Sequence, residues 1–179
     1  AGSGIGLAMA HCFAGEGMKL VLADIEEAAL ARAVADLRAA GATVASMQAD
    51  VGDPAQVAAL ADFAWQSHGR VHLLCNNAGV GTGGRIDTVP PPAWEWLMGV
   101  NLMGVIHGLS EFVPHMKAHG EPGHIVNTGS MAGMNGFRGM GPYCASKAAV
   151  VSLSEALAAE LEGTALGVSV LCPGSVNTR

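Results

Sequence analysis

The sequence predicts an α/β protein built on a doubly wound parallel sheet, with helices on both faces in a three-layer αβα arrangement. Three observations point that way: short apolar runs alternate with longer helical patterns, a glycine-rich turn opens the first helix, and an acid closes the strand that follows. Met18 to Ala23 reads as a strand ending at Asp24, and Leu30, Val34 and Leu37 mark a helix that stops at Gly41. Thr43 to Gln48 is the next strand. Asp53-Pro54 then supplies an N-cap and a proline at the first helical position. Val71 to Cys75 is a strand running into Asn76-Asn77-Ala78-Gly79. Past a glycine-rich loop and Pro90-Pro91-Pro92, a long helix runs from about Ala93 to His119. His124 to Thr128 is a strand, Pro142 to Glu162 a helix, and Val168 to Cys172 a strand. Repeated strand–helix alternation implies parallel pairing. Right-handed crossovers make it a Rossmann-type sheet.

Composition limits the function classes. The 179 residues fit a single domain, 1–179, with a substantial core: half are hydrophobic, 13% are charged, and mean hydropathy is +0.36. No membrane span is expected, because the longest charge-free helical stretch, Trp96 to Ser110, is shorter than about 20 residues and contains Asn101 and His107. It reads as a helix buried in a core or a subunit interface. The opening Ala1-Gly2-Ser3-Gly4 lacks the basic and apolar regions of a signal peptide. A net charge of −6 without a Lys/Arg cluster argues against nucleic acid and acidic membrane surfaces. Cys12, Cys75, Cys144 and Cys172 form no C-x-x-C pair, so reduced thiols in a cytoplasmic protein are expected.

Two constellations carry chemistry. Gly2-Ser3-Gly4-Ile5-Gly6 leads into an apolar helix pattern, where glycines let the backbone approach a pyrophosphate seated at the helix N-terminus. The spacing is not G-x-G-x-x-G, so a glycine-rich turn without ligand is the alternative. Asp24 strengthens the cofactor reading. It stands eighteen residues beyond Gly6, where an acid hydrogen-bonds an adenosine ribose. Its carboxylate would repel a 2′-phosphate and Ile25 adds no compensating base, so NAD is favoured over NADP. The second constellation is Tyr143-Cys144-Ala145-Ser146-Lys147, holding the only Tyr of the chain, with Ser130 thirteen residues upstream. A spacing of four places Tyr143 and Lys147 on one helix face, about 6 Å apart along the axis. An ammonium there favours the phenolate and draws the phenol towards general acid/base work. A helix that merely carries Tyr and Lys one turn apart is the plain alternative.

Taken together, these motifs closely resemble the short-chain dehydrogenase/reductases. Asn76-Asn77-Ala78-Gly79 is similar to that family's N-N-A-G turn, and Asn101 to its helix Asn. Ser130, Tyr143 and Lys147 are similar to its catalytic Ser and Y-x-x-x-K, in the Y-x-A-S-K form. Pro173-Gly174-Ser175-Val176-Asn177-Thr178 is similar to its P-G-x-V-x-T turn. The resemblance implies an NAD-dependent oxidoreductase acting on a small-molecule alcohol or ketone. Tyr143 would exchange the proton with the substrate oxygen. Lys147 would lower the Tyr pKa and hold the nicotinamide ribose, and Ser130 would polarise the substrate oxygen. Asn101 would order a proton-relay water while interrupting its helix locally. Asp50 and Val51 would meet the adenine edge, and Asn77, Ala78 and Gly79 the adenosine side. Pro173, Gly174, Val176 and Thr178 would line the nicotinamide carboxamide and phosphate. Relatives commonly form homo-dimers or homo-tetramers through the two long helices. A non-catalytic NAD-binding relative, acting as a sensor or structural subunit, is the other function class.

Other side chains have plainer readings. His115 and His119 share a helix face but lack a third metal ligand, so no metal is expected. Thr128-Gly129-Ser130-Met131-Ala132 fails as a nucleophile elbow because G-x-S-x-G needs Gly at 128. Trp94, Trp96, Leu97, Val100 and Met103 suggest helix packing or a subunit contact. Met131, Met134, Phe137 and Met140 either wall a substrate pocket, favouring a partly apolar substrate, or pack the loop. Family members begin with a strand and T-G before these residues and continue past the P-G-x-V-x-T turn into a substrate-covering segment. The resemblance therefore leads us to expect a stretch of a longer polypeptide.

Overall fold

The computed structural model describes residues 1–177, which fall into two compact units, Ala1–Arg70 with Asn177, and Val71–Val176. The first unit runs α1 (Gly4–Gly15), β1 (Leu20–Asp24), α2 (Glu27–Ala39), β2 (Val44–Gln48) and α3 (Pro54–His68). β1 and β2 pair in parallel, Leu20 beside Val44 through Asp24 beside Gln48. Both α2 and α3 pack on this pair. The core joins Ala10 of α1, Leu20 and Leu22 of β1, Leu30, Val34 and Leu37 of α2, and Val44 of β2. The expected strand start at Met18 moves to Leu20 for a local reason. Gly17 N–H donates to Ala14 O and Met18 N–H to Phe13 O, so Met18 still closes α1 and has no donor for the ladder. α3 starts as its sequence implies: Asp53 Oδ1 accepts from Ala55 N–H at 2.9 Å, with Pro54 at the first helical position.

The second unit runs β3 (Leu73–Asn76), α4 (Pro91–Met98), a π-helical turn (Gly99–Met103), α5 (Gly104–His119), β4 (Gly123–Thr128), a short 3₁₀ turn (Met131–Gly133), α6 (Gly141–Glu160) and β5 (Leu166–Leu171). Its parallel sheet has the order β3-β4-β5. α6 packs on β4 and β5, and α5 packs on β3. Leu97, Val105, Met116, Ile125 and Val150 are buried at the centre. The segment Pro91–His119 is long and apolar enough to cross a membrane by composition alone. Its buried Leu97, Val105, Phe112 and Met116, and its packing on α6, make it a core element here.

The parallel α/β organisation is as expected, but the strands form two sheets instead of one. Among the described residues, β1 pairs only with β2 and β3 only with β4. Each keeps one edge without a ladder partner among the described residues. The long helix expected from Ala93 to His119 is likewise not uniform. Gly99–Met103 widens into a π turn centred on fully buried Asn101.

A buried polar ladder ties the second sheet together. Asn76 Nδ2 donates to Asn127 Oδ1 (2.9 Å), Asn127 Nδ2 to Ser154 Oγ (3.0 Å), and Ser154 Oγ–H to Val150 O (2.7 Å). Asn127 is fully buried and Ser154 nearly so. A buried donor left without a partner costs about 1–3 kcal/mol. Asn127→Ala strands the amide of Asn76 and removes a donor from Ser154, so it should lower unfolding free energy by about 1–3 kcal/mol in urea denaturation. An unchanged midpoint and slope would show that the ladder adds nothing to stability.

Candidate active site

In the first unit, the glycine turn delivers the chain into α1. Ser3 is the extended N-cap residue, and its side chain makes no capping bond. No acid stands in the first turn. The N-terminal end of α1 therefore presents backbone donors that an anion can use. Gly4 has φ +55, a conformation that a residue with a Cβ adopts at a cost. Ile5 and buried Gly6 continue into the helix. Asp24 ends β1 and closes the turn from the other side. Its Oδ2 accepts from Gly2 N–H at 2.8 Å and from the Ala1 amine at 2.9 Å, and its Oδ1 accepts from Glu26 N–H at 3.0 Å. Burial alone would raise the Asp24 pKa, but these donors outweigh it and hold the carboxyl below its ordinary value. Ile25 is exposed, with its carbonyl taken by Gln48 Nε2. Asp50 closes the turn after β2 by accepting from Gly52 N–H, and Val51 lies in that turn.

In the second unit, Lys147 is only 3% exposed, and its Nζ donates to Thr128 O at 2.7 Å. The ammonium lies 5.8 Å from the centroid of the Tyr143 ring, so the predicted pairing on one helix face is realised. Burial pulls the Lys147 pKa down to about 8. Asn101 meets the turn after β3 edge to edge: its Oδ1 accepts from Val80 N–H (2.7 Å) and its Nδ2 donates to Val80 O (2.9 Å). The same Nδ2 reaches Ser146 Oγ at 3.1 Å, and Ser146 in turn donates to Tyr143 O. One side chain thus couples the π turn, the loop after β3 and the Tyr-bearing turn of α6. Ser130 is 8% exposed, and its Oγ accepts from Ala132 N–H at 3.1 Å, which leaves its hydroxyl proton available. The short turn after it lies hard against α6, where a Cβ on Gly133 would stand 2.6 Å from Lys147 O.

The remaining expected residues are also placed. Asn77 Oδ1 accepts from Thr128 Oγ1–H, Ala78 is exposed, and a Cβ on Gly79 would stand 3.4 Å from Lys147 Nζ. Pro173 O accepts from Met131 N–H, joining the turn after β5 to the residue next to Ser130. Gly174 and Val176 are exposed; Thr178 lies outside the described residues. The side-chain amide of Asn101 is engaged by Val80 and Ser146, at the local helix interruption expected there. Sequence reasoning missed Val80 and Thr128, which act through backbone atoms and carry no side-chain signal. It also missed Ser146 and the ladder Asn76, Asn127 and Ser154. Buried Asn and Ser within apolar runs were the available signal for those four.

Residues 1–179 match the family described as short chain dehydrogenase. The chain belongs to that family. It is 38% identical over its full length to the probable oxidoreductase EphD of Mycobacterium tuberculosis, of which it spans 30%. It is 40% identical to the C alpha-dehydrogenase of Sphingobium sp., with 99% of this chain and 58% of that protein covered. A short chain dehydrogenase/reductase from Burkholderia phymatum, solved in complex with NAD, is 53% identical with a TM-score of 0.99, over 99% of this chain and 64% of that one. The chain therefore spans roughly a third to two thirds of the lengths of these relatives.

The burial of Lys147 has a pH consequence. Its folded pKa of about 8 lies below the ordinary 10.5, so between those values the unfolded chain binds the proton more tightly. This group's contribution to stability therefore rises with pH across that window. The wild type should gain on Lys147→Met in unfolding free energy as pH rises from about 8 to about 10. A stability difference independent of pH would contradict the depressed value.

Proposed function

We propose that the protein is an NAD(H)-dependent oxidoreductase interconverting a secondary alcohol and a ketone. The observation that carries this reading is a nearly fully buried Lys147 within reach of the only Tyr, beside buried Ser130 and Asn101. A purely structural lysine would find water at less cost. Bound NAD would supply the two-electron chemistry, as hydride acceptor in alcohol oxidation and hydride donor in ketone reduction. In the oxidation direction Tyr143 takes the hydroxyl proton as the carbonyl forms; in reduction it gives that proton to the nascent alkoxide. Lys147 stabilises the phenolate by its charge and holds the nicotinamide ribose. Ser130 donates to the substrate oxygen and so stabilises negative charge building there. Asn101 keeps the turn after β3 and the Tyr143 turn in register, and orders a relay water through its backbone.

The first unit holds the adenosine and pyrophosphate. The uncapped first turn of α1 suits a pyrophosphate. Gly2, Ser3, Gly4, Ile5 and Gly6 form that turn, Asp24 and Ile25 meet the ribose, and Asp50 and Val51 the adenine. Asn77, Ala78, Gly79, Pro173, Gly174, Val176 and Thr178 complete the cofactor contacts. Asp24, kept ionised by its donors, repels a 2′-phosphate and selects NAD over NADP. The exposed Trp96 and Met103 on the Pro91–His119 segment suit a homo-dimer or homo-tetramer. Four free thiols fit a cytoplasmic setting.

Turnover tests this reading directly. NADH absorbance of the intact protein should change with at least one member of a panel of secondary alcohols and ketones. Tyr143→Phe should then cut kcat/KM by about 100- to 10,000-fold. Tight NAD binding without turnover of any candidate, and indifference to Tyr143→Phe, would favour the sensor or structural role. The cofactor choice has its own measurement. NADH should outperform NADPH by about tenfold or more in kcat/KM, and Asp24→Asn should narrow that ratio. Equal use of both cofactors by the wild type would contradict the role given to Asp24.

A further inference from the structure

The Ser130 hydroxyl is oriented by backbone. Ser130 is the extended N-cap residue of the 3₁₀ turn Met131–Gly133, and Ala132 N–H donates to its Oγ at 3.1 Å. That bond uses a lone pair and leaves the hydroxyl proton for another acceptor. Wherever the turn carries Ala132, Ser130 Oγ follows. The turn is closed by Gly133 N–H donating to Ser130 O at 2.8 Å, and fixed on one side by Met131 N–H donating to Pro173 O at 3.0 Å. On its other side it meets α6. A Cβ on Gly133 would stand 2.6 Å from Lys147 O, 2.7 Å from Lys147 C and 3.0 Å from Ala148 N. All three atoms belong to one peptide group inside a 20-residue helix, so no side-chain rotation relieves the contact. Before Ser130, a Cβ on Gly129 would meet Val170 Cγ2 at 3.0 Å, Cys172 Sγ at 3.1 Å and Leu171 O at 3.4 Å. Neither glycine has a positive φ, so the backbone at both suits alanine and only space excludes it.

We propose that Gly133 is a positioning residue for Ser130. Its missing side chain lets the turn rest on the backbone of Lys147, and so sets where Ser130 Oγ stands relative to the Tyr143 and Lys147 face of α6. Gly129 gives the same turn its fit towards the chain after β5. The inference rests on the reading above that Ser130 donates to the substrate oxygen. Of the two partners at Gly133, the three-residue turn yields to an added Cβ. α6 is tied to β4 by Lys147 Nζ on Thr128 O and by Asn127 Nδ2 on Ser154 Oγ. Ordinary contact begins at 3.4 Å against the 2.6 Å here, a shortfall of about 0.8 Å. A displacement of about 1 Å in a group that stabilises a transition state costs about 100-fold in rate. At Gly129 two of the three neighbours are side-chain atoms that can give way, so alanine there has the milder effect.

Gly133→Ala should lower kcat for NADH-dependent ketone reduction by the intact protein by about 100-fold, with KM for NADH little changed. A double variant supplies the readout that general loosening of the structure would not give. Ser130→Ala alone should cost about 100- to 1,000-fold, and adding Gly133→Ala to it should cost less than about threefold more. An equal factor with and without the Ser130 hydroxyl would overturn the proposal, as would a wild-type kcat in Gly133→Ala. Should Gly133→Ala fail to fold, Gly129→Ala carries the same cycle. Its loss of about tenfold should vanish in Ser130→Ala, and a loss that persists there overturns the proposal. If no ketone turns over, the oxidoreductase reading fails on its own. Crystal structures of the intact wild type and Gly133→Ala then decide the positioning: Ser130 Oγ displaced from the Lys147 backbone by about 0.8 Å supports it, and an unmoved Ser130 overturns it.

Discussion

A positive charge removed from water organises the second unit. An ammonium taken from solvent costs several kcal/mol unless a polar partner replaces the lost hydration. For Lys147 that partner is the carbonyl of Thr128, at the last residue of β4. The bond is possible only if α6 lies close to the end of that strand. The ladder of Asn127 with Asn76 and Ser154 sets that distance one residue earlier, linking β4 to β3 and to α6. Space around Lys147 is equally constrained. Gly133, against its backbone carbonyl, has no room for a Cβ without movement of the neighbour, and a Cβ on Gly79 would stand in van der Waals contact with its ammonium. A buried lysine of lowered pKa is costly to keep, and the proposed proton transfer would give that cost a use.

Asn101 solves a second problem in the same region. The loop after β3 must approach α6 without burying bare backbone groups. The amide of Asn101 satisfies the N–H and C=O of Val80 together, then reaches Ser146 with its second proton. Regular α-helical spacing gives way to a π turn around this residue, a local irregularity that is common at functional positions. The first unit uses a similar economy. Asp24 gathers the donors of the glycine turn, which hold its carboxyl below the ordinary value, so one side chain shapes the loop.

Much of this was legible in sequence because it resides in side-chain identity at short range. The four-residue spacing of Tyr143 and Lys147, the Asp53-Pro54 helix start and the strand–helix alternation all reappear in the structure. What escaped involves backbone atoms or long separations. Thr128 and Val80 contribute carbonyl or amide groups that every residue owns. Asn76 and Asn127 stand 51 positions apart, and no periodicity links them. The π turn inside Pro91–His119 involves a side-chain bond to a distant loop that helix propensity does not encode, and the resemblance alone implied an interruption at Asn101. The start of β1 moved because Met18 bonds back to α1, a competition between two backbone acceptors that hydrophobic pattern does not register. The four exposed side chains from Met131 to Met140 carried two readings in sequence. All four are exposed among the described residues.

The central claim is that buried Lys147 serves a proton transfer between Tyr143 and a substrate oxygen that Ser130 also holds. A crystal structure of the intact protein with NAD and an unreactive ketone tests it most directly. The account predicts the ketone oxygen within about 3 Å of both Ser130 Oγ and Tyr143 Oη, with Lys147 Nζ reaching the nicotinamide ribose. A ketone bound away from both hydroxyl groups, with Lys147 bonded only to Thr128 O, would contradict it.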